Sequence, residues 1–308
     1  MELYDLIIIG AGPAGMSAAV YAARKRLNFI IISGDLGGQT AWSSDVENYL
    51  GFHLVTGQHL TEKFHEHLQD YKVKLQLNEH VQKLSKIKTG FKVQTDQSAY
   101  ESKTLLIASG KISRELKVPG ESEFRGKGVS YCATCDAPLF HDKNVAVIGG
   151  GNAALDAVLQ FMKIAKKIYL ITINKKLDGE SVMIQKVKNS KKVEILYKTT
   201  TQNIQGKSFV HTLVVMQKGK ARSIPVEGVF VEIGSIPSTQ FCEGFVKLNK
   251  YKEIAIHNEA YSTNLTNVPG VYAAGDCSDV PEKQTIVAAG EGAKAVISIF
   301  NYLSRKKH

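Results

Sequence analysis

The sequence predicts an α/β protein of two domains, and three observations carry that prediction. A strand, glycine turn, helix and strand open the chain, the same pattern returns near its middle, and a third strand ends on Gly-Asp ahead of an amphipathic helix. At 308 residues the chain exceeds what one core usually supports, while 44% hydrophobic residues and 26 glycines indicate a loop-rich globular protein rather than a disordered or fibrous one.

In the first unit, Asp5-Leu6-Ile7-Ile8-Ile9 reads as a strand and Gly10-Ala11-Gly12-Pro13-Ala14-Gly15 as the turn. An Ala-rich helix then runs to about Arg26, and Phe29-Ile30-Ile31-Ile32-Ser33 is the second strand. This is a Rossmann-like βαβ unit. Its glycines permit a tight turn, approach of backbone to a pyrophosphate, and close packing of helix on strand, and the helix N-terminus faces the phosphates.

The second unit repeats the order. Val145-Ala146-Val147-Ile148 leads into Gly149-Gly150-Gly151-Asn152-Ala153-Ala154, then a helix to about Lys166 and a strand Ile168-Tyr169-Leu170-Ile171-Thr172. Two matching units are a stronger signal than one G-x-G-x-x-G. An NAD site usually carries Asp or Glu where Thr172 stands, and an NADP site usually brings an Arg nearby; here the following residues are Ile173-Asn174-Lys175-Lys176-Leu177-Asp178. Lys175 and Lys176 offer point charges to a 2′-phosphate without the bidentate geometry of Arg, so the nicotinamide nucleotide, NADPH or NADH, stays open. Near the C-terminus, Val271-Tyr272-Ala273-Ala274-Gly275-Asp276 reads as a strand whose terminal Asp can bond a sugar or ribityl hydroxyl, followed by a helix from about Gln284 to Leu303.

Between the two units of sequence lies Cys132-Ala133-Thr134-Cys135-Asp136. A C-x-x-C pair closes a tight disulfide and its thiols can have lowered pKa, which suits the transfer of two electrons; Asp136 supplies a local proton donor or acceptor. A zinc site with His141 as third ligand is the competing reading, but a structural zinc wants four ligands and no second C-x-x-C or H-x-x-x-H exists. Only four Cys occur, which argues against a secreted disulfide scaffold and for a reducing compartment, the cytoplasm. Cys242 and Cys277 read as buried small apolar residues. The formal charge of +10 is spread along the chain, so a solvated basic surface is favoured over nucleic-acid binding, while an acidic protein partner is compatible. No basic leader precedes Leu6-Ile7-Ile8-Ile9 and no run of 18 apolar residues is found, so no membrane association is expected. His53, His59, His65 and His67 read as solvent-facing, Leu139-Phe140 as either a docking patch or packing against the sheet, and Trp42 as packing near the Gly37-Gly38 turn.

With these residues in place, the chain resembles the low-molecular-weight, bacterial-type thioredoxin reductases and the C-terminal portion of the alkyl hydroperoxide reductase flavoprotein. The marks run in the family's order over essentially the whole chain: Gly10 to Gly15, Gly37-Gly38-Gln39, Val46-Glu47-Asn48-Tyr49, Ala108-Ser109-Gly110, Pro119-Gly120-Glu121, Cys132 to Asp136, Gly149 to Asn152, and Ala274-Gly275-Asp276-Cys277. The resemblance implies an FAD-binding domain made of 1–114 and 246–308, with a nucleotide-type domain of 115–245 carrying the dithiol inserted in it. It implies FAD contacts from Gly10, Gly12, Pro13, Gly15, Gly38, Gln39, Asn48, Gly110, Gly275, Asp276, Gln284 and Thr285. A nicotinamide nucleotide would meet Gly149, Gly151, Asn152, Ala153, Lys175 and Lys176. Cys135 would lie beside the flavin, Cys132 would attack the partner's disulfide, and Asp136 would move protons to and from the pair.

The implied partner is a separate thioredoxin or thioredoxin-like protein, and the implied assembly a homodimer. Members using NADPH carry His-Arg-Arg and a further Arg where this chain has Thr172-Ile173-Asn174 and Asp178; the hydroperoxide-reductase relatives place Glu at the Thr172 position. Some members use ferredoxin instead. The chain therefore reads as a thioredoxin-reductase-like enzyme, with two alternatives: a related flavoprotein using NADH or ferredoxin, or a flavin-binding regulatory protein without turnover. Two binding sites competing for one flavin face imply domain rotation, with hinges near Lys117-Val118-Pro119-Gly120 and Gly244-Phe245.

Overall fold

The computed structural model describes residues 2–43 and 46–305. The chain divides into two compact units: Met1–Ala41, Tyr49–Ile112 and Ile236–His308 form the first, Trp42–Asn48 and Ser113–Ser235 the second. Two short strands, Lys111–Ser113 and Ser235–Pro237, pair with each other where the chain passes between them. Residues 236–245, allotted to the inserted domain by the sequence reading, thus group with the first unit, and the segment Trp42–Asn48 groups with the second.

The first unit builds a nine-stranded sheet among the described residues. Its parallel centre runs Leu75–Gln76, Phe29–Leu36, Leu3–Ala11, Ala99–Ile107, Val271–Ala273. Strand Leu3–Ala11 has its sequence neighbour Phe29–Leu36 on one side and the distant Ala99–Ile107 on the other, with Ile8 opposite Ile31 and Leu106. This change of direction is a topological switch point, and in such sheets the ligand crevice opens at the strands' carboxyl ends. The run of apolar residues is continuous because both faces are covered: Leu6 and Ile8 enter one cluster, Ile7 and Ile9 the other. Strands Val81–Ile87 and Gly90–Thr95 extend the sheet antiparallel from Ala99–Ile107.

Helices Pro13–Arg24 and Thr285–Arg305 pack together on one face. A Cβ on Gly292 would run into Ala14 O, so that glycine sets their close approach. Helix Thr285–Arg305 is long and apolar enough, by length and composition, to cross a membrane. Here Ala288, Ala295, Val296, Ile299 and Leu303 are buried in the cluster that also contains Leu6 and Ile8, the pattern of a core helix.

The second unit repeats the plan on a smaller scale. Its five-stranded parallel sheet has the order Val193–Leu196, Lys167–Ile171, Asn144–Ile148, Gly228–Val231, Val129–Ser130. Strand Asn144–Ile148 is the switch point. Val145 and Val147 join one core with Phe161, Leu155 and Phe230, while Ala146 and Ile148 face an antiparallel three-stranded sheet of Thr199–Gly206, Val210–Gln217 and Lys220–Pro225.

Candidate functional site

The first glycine turn leaves the end of Leu3–Ala11 and starts helix Pro13–Arg24. Its three fingerprint glycines do different work. Gly10 has φ +109°, and a Cβ there would overlap Ala108 O; a Cβ on Gly15 would overlap Gly10 O. Both serve packing. Gly12 is extended, with φ −79° and ψ −176°, and a Cβ on it would meet only Gly37 O at 3.9 Å. The helix has no side-chain cap, and Pro13 brings no N–H, so the next amides of its first turn are left for an anion. An open glycine beside uncapped helix amides fits the pyrophosphate of a dinucleotide such as FAD. Gly38 lies across the cradle, φ +54°, and a Cβ on it would stand 3.7 Å from Gly12 Cα.

The remaining FAD candidates of the first unit gather at the same carboxyl edge. Gln39 Nε2 donates to Lys111 O, and Lys111 Nζ lies 3.4 Å from Asp276 Oδ2. The hydroxyls of Thr40 and Thr285 are 3.2 Å apart, tying the Gly38 turn to the start of helix Thr285–Arg305. Gln284 O accepts from Ala288 N at 2.9 Å. Gly275, φ +75°, packs near Ala14, and Gly110, φ +67°, has no atom within 4 Å of its would-be Cβ. Asn48 belongs to the segment grouped with the second unit. Sequence reasoning missed Lys111 and also Lys283, whose Nζ donates to Asp276 O at 3.3 Å and Ser278 O at 2.5 Å. A lysine just after Gly110 was the available signal for the first.

Cys132 and Cys135 are joined in a disulfide with Cα atoms 5.3 Å apart. Strand Val129–Ser130 delivers them, and Ala133–Asp136 forms a single helical turn. Cys132 is its cap: its Sγ accepts from Cys135 N at 3.2 Å, while its own N donates to Ser130 Oγ at 3.1 Å. Asp136 is buried and its N donates to Cys132 O at 3.1 Å. Tyr131 Oη donates to Glu121 Oε1 at 2.8 Å, and the Arg125 guanidinium lies 4.6 Å from the Tyr131 ring centre. Burial in the first place, with the Glu121 bond supporting it, pushes the Tyr131 phenol up to about 12. The carboxylate of Glu121 is buried and also accepts from Leu116 N and Lys117 N at 2.8 and 2.7 Å, which anchors the segment leading to the dithiol.

The second glycine turn follows strand Asn144–Ile148 at its switch point. A Cβ on Gly149, φ +149°, would overlap Glu232 O, whereas one on Gly151 would come no nearer than 3.5 Å, to Asp178 O. Asn152 begins the helix, and its Oδ1 accepts from Glu180 N at 2.9 Å; Ala153 is exposed beside it. Thr172, where an acid was expected, is buried, and its Oγ1 accepts from Asn174 N at 3.2 Å. Asp178 N donates to Gly150 O at 2.7 Å, which brings Asp178 beside the turn, while Lys175 and Lys176 are exposed in the intervening loop.

Cys242 and Cys277 are free and fully buried, and burial pushes both thiols up, as expected of small apolar residues. Phe140 packs edge-on against Phe230 at 5.0 Å, so Phe140 joins the core. His53, His59 and His67 are exposed and His65 is half-buried. Trp42 departs from the sequence reading: it is 64% exposed instead of packed, with Arg125 6.0 Å from its ring.

Two dinucleotide turns at two switch points and a disulfide at the end of a parallel strand define a pyridine-nucleotide and flavin type of disulfide oxidoreductase. The chain belongs to the pyridine nucleotide-disulphide oxidoreductase family, whose pattern it matches over residues 4–292. It is 37% identical to the F component of the alkyl hydroperoxide reductase of Escherichia coli, over 99% of this chain and 59% of that protein. The chain thus spans about 59% of the length of the curated relatives it matches. Thioredoxin reductase from Streptococcus pyogenes superposes with a TM-score of 0.92 at 32% identity, covering 98% of this chain and 99% of that one. The ferredoxin-flavin thioredoxin reductase of Clostridium acetobutylicum gives 0.55 at 33% identity, covering 100% and 99%.

Proposed function

We propose that this protein is a thioredoxin-reductase-like oxidoreductase: the first unit would hold FAD at the Gly12 and Gly38 cradle, and the Cys132/Cys135 pair passes the electrons of a reduced donor to the disulfide of a thioredoxin-like protein. The observation that carries this reading is the disulfide itself, held at the carboxyl edge of a dinucleotide-type sheet with Cys132 Sγ accepting from Cys135 N. FAD, when bound, supplies the means of accepting and releasing an electron pair. Two electrons and two protons convert the Cys132–Cys135 bond to two thiols. The Cys132 thiolate then attacks the partner's disulfide, forming a mixed disulfide and releasing one partner thiol; Cys135 attacks Cys132 Sγ, which restores the internal bond and releases the second. The Cys135 amide stabilises negative charge on Cys132 Sγ, which favours Cys132 as the attacking sulfur. Asp136 serves as the local proton donor and acceptor.

The second unit would receive the nicotinamide nucleotide, if one is used, at Gly149, Gly151, Asn152 and Ala153. The Thr172 to Asp178 loop supports a donor other than NADPH, and the similarity to a ferredoxin-flavin thioredoxin reductase makes ferredoxin a second candidate beside NADH. The same reading takes the protein to be a homodimer of the cytoplasm, a compartment consistent with two unpaired buried thiols. The test is anaerobic titration of the holoprotein with NADH, NADPH and reduced ferredoxin while following flavin absorbance, then transfer to thioredoxin. A flavin that none of the three bleaches would sink the enzyme reading and favour a regulatory flavoprotein.

A further inference from the structure

A second carboxylate stands at the dithiol, and no motif of the sequence announces it. Strand Gly228–Val231 runs parallel to Asn144–Ile148 with Val231 opposite Ile148, and the next residue, Glu232, continues the pairing through Glu232 N to Ile148 O at 2.8 Å. This register sets Glu232 at the carboxyl edge of the sheet. Val129–Ser130 is parallel to the other side of the same strand and ends at the same edge. Two residues later the chain enters the dithiol turn, and there Glu232 Oε1 accepts a hydrogen bond from Ala133 N at 3.1 Å. Ala133 is buried and is bonded directly to Cys132.

The amides of this short turn are therefore divided. Cys135 N serves the sulfur of Cys132, while Ala133 N serves a carboxylate. Amides at a turn of this kind ordinarily favour a thiolate. One of them is here committed to a carboxylate, bonded to the amide of the residue that follows Cys132, and like charges in proximity disfavour ionisation. We infer that Glu232 is a positioning residue of the dithiol: it fixes the Ala133 amide and so the turn, and its charge opposes thiolate formation at Cys132 in the reduced protein. The reduced pair is thereby kept as thiols until exchange, which limits adventitious reaction with small disulfides and oxidants.

Other charged groups face the dithiol turn from its neighbours. Asp136 lies in the turn itself. On the helix Asn152–Ile164, Asp156 Oδ2 and Thr134 Oγ1 are both bonded by Gln160 Nε2, at 3.0 and 3.3 Å. Tyr131, ahead of Cys132, is held on Glu121 with Arg125 over its ring. Beyond the turn, exposed His141 pairs with Asp142 at 3.2 Å. Asp156 and His141 are exposed and solvent screens them; Glu232 is the half-buried carboxylate bonded to the backbone next to Cys132.

The inference rests on the redox role of the dithiol. It is tested with Glu232→Gln and Glu232→Ala in the full-length holoprotein, reduced anaerobically. The pH dependence of Cys132 alkylation by iodoacetamide is followed by mass spectrometry, together with the equilibrium against dithiothreitol and the thermal midpoint. Glu232→Gln keeps an acceptor for Ala133 N and removes the charge. Its alkylation midpoint is expected to fall by about one pH unit, and the dithiothreitol equilibrium to shift toward the dithiol; a tenfold shift there corresponds to about 30 mV. Glu232→Ala should show the same fall with a lower thermal midpoint. An unchanged or raised alkylation midpoint in Glu232→Gln overturns the inference, as does an effect confined to the Michaelis constant of a nicotinamide donor. Failure of the wild-type protein to reduce any protein disulfide would overturn the proposed function alone, because the alkylation shift is read without a partner.

Discussion

Replacing Gly12 by Ala separates the cradle from the scaffold. The backbone at Gly12 is extended, a conformation that any residue adopts, and its would-be Cβ has nothing nearer than Gly37 O at 3.9 Å. Ala restricts the unfolded chain, which stabilises by about 0.4–1 kcal/mol. It is a poorer helix cap than Gly by a similar amount. The two offset, so the unliganded protein should unfold within a few degrees of wild type, since about 1 kcal/mol moves the midpoint of a domain this size by about 2–4 °C. The methyl group nevertheless stands where backbone must approach the pyrophosphate, and a loss of at least about 1.4 kcal/mol, tenfold in dissociation constant, is expected. Gly15→Ala is the contrast, because its methyl overlaps Gly10 O inside the turn and should cost about 1–3 kcal/mol of stability whether or not a dinucleotide is bound. Thermal unfolding of both apoproteins and FAD titration by flavin fluorescence measure the two effects. Wild-type affinity in Gly12→Ala, or early unfolding of its apoprotein, would refute the division of roles among the glycines.

Cys132→Ser and Cys135→Ser should each abolish turnover with a protein disulfide, while Cys242→Ser and Cys277→Ser stay active; steady-state turnover with thioredoxin decides, and full activity in either of the first pair rules out the dithiol mechanism. NADPH should be at best a poor donor with no strong preference over NADH, because Thr172, Asn174 and Asp178 replace the cations that grip a 2′-phosphate; a low Michaelis constant for NADPH with a large preference would show this reading of the loop to be wrong. Tyr131→Phe removes a bond to the Glu121 carboxylate and should cost about 1–2 kcal/mol. Since the folded phenol is held at about 12, above its ordinary 10.0, that contribution is fully present below pH 10 and fades as pH rises toward 12. Denaturation of both proteins at rising pH checks it, and a difference that grows with pH contradicts the assignment.

The sequence by itself determined what is local. The strand, turn and helix of Asp5 to Arg26 span a short stretch in which apolar periodicity and glycine spacing share one cause, so the unit and its fingerprint were legible before any contact was known. Cys132 and Cys135 are near enough in sequence to bond through one helical turn, and their disulfide was legible for the same reason. The isolated cysteines were read as core from residue type, and they are buried.

Tertiary structure decided what depends on register and on which side of a strand a neighbour lies. Gly10, Gly12 and Gly15 look alike in the motif, yet only the position of Ala108 O and Gly10 O shows which of them packs and which is open. Lys111 meets Asp276 because Ala99–Ile107 and Val271–Ala273 are neighbours in one parallel sheet. Glu232 reaches Ala133 because Gly228–Val231 is inserted between the strand of the glycine turn and the strand of the dithiol, a consequence of sheet order that no window of sequence contains. Exposure of Trp42 is of the same kind, since burial of a single indole depends on what other segments come to cover it.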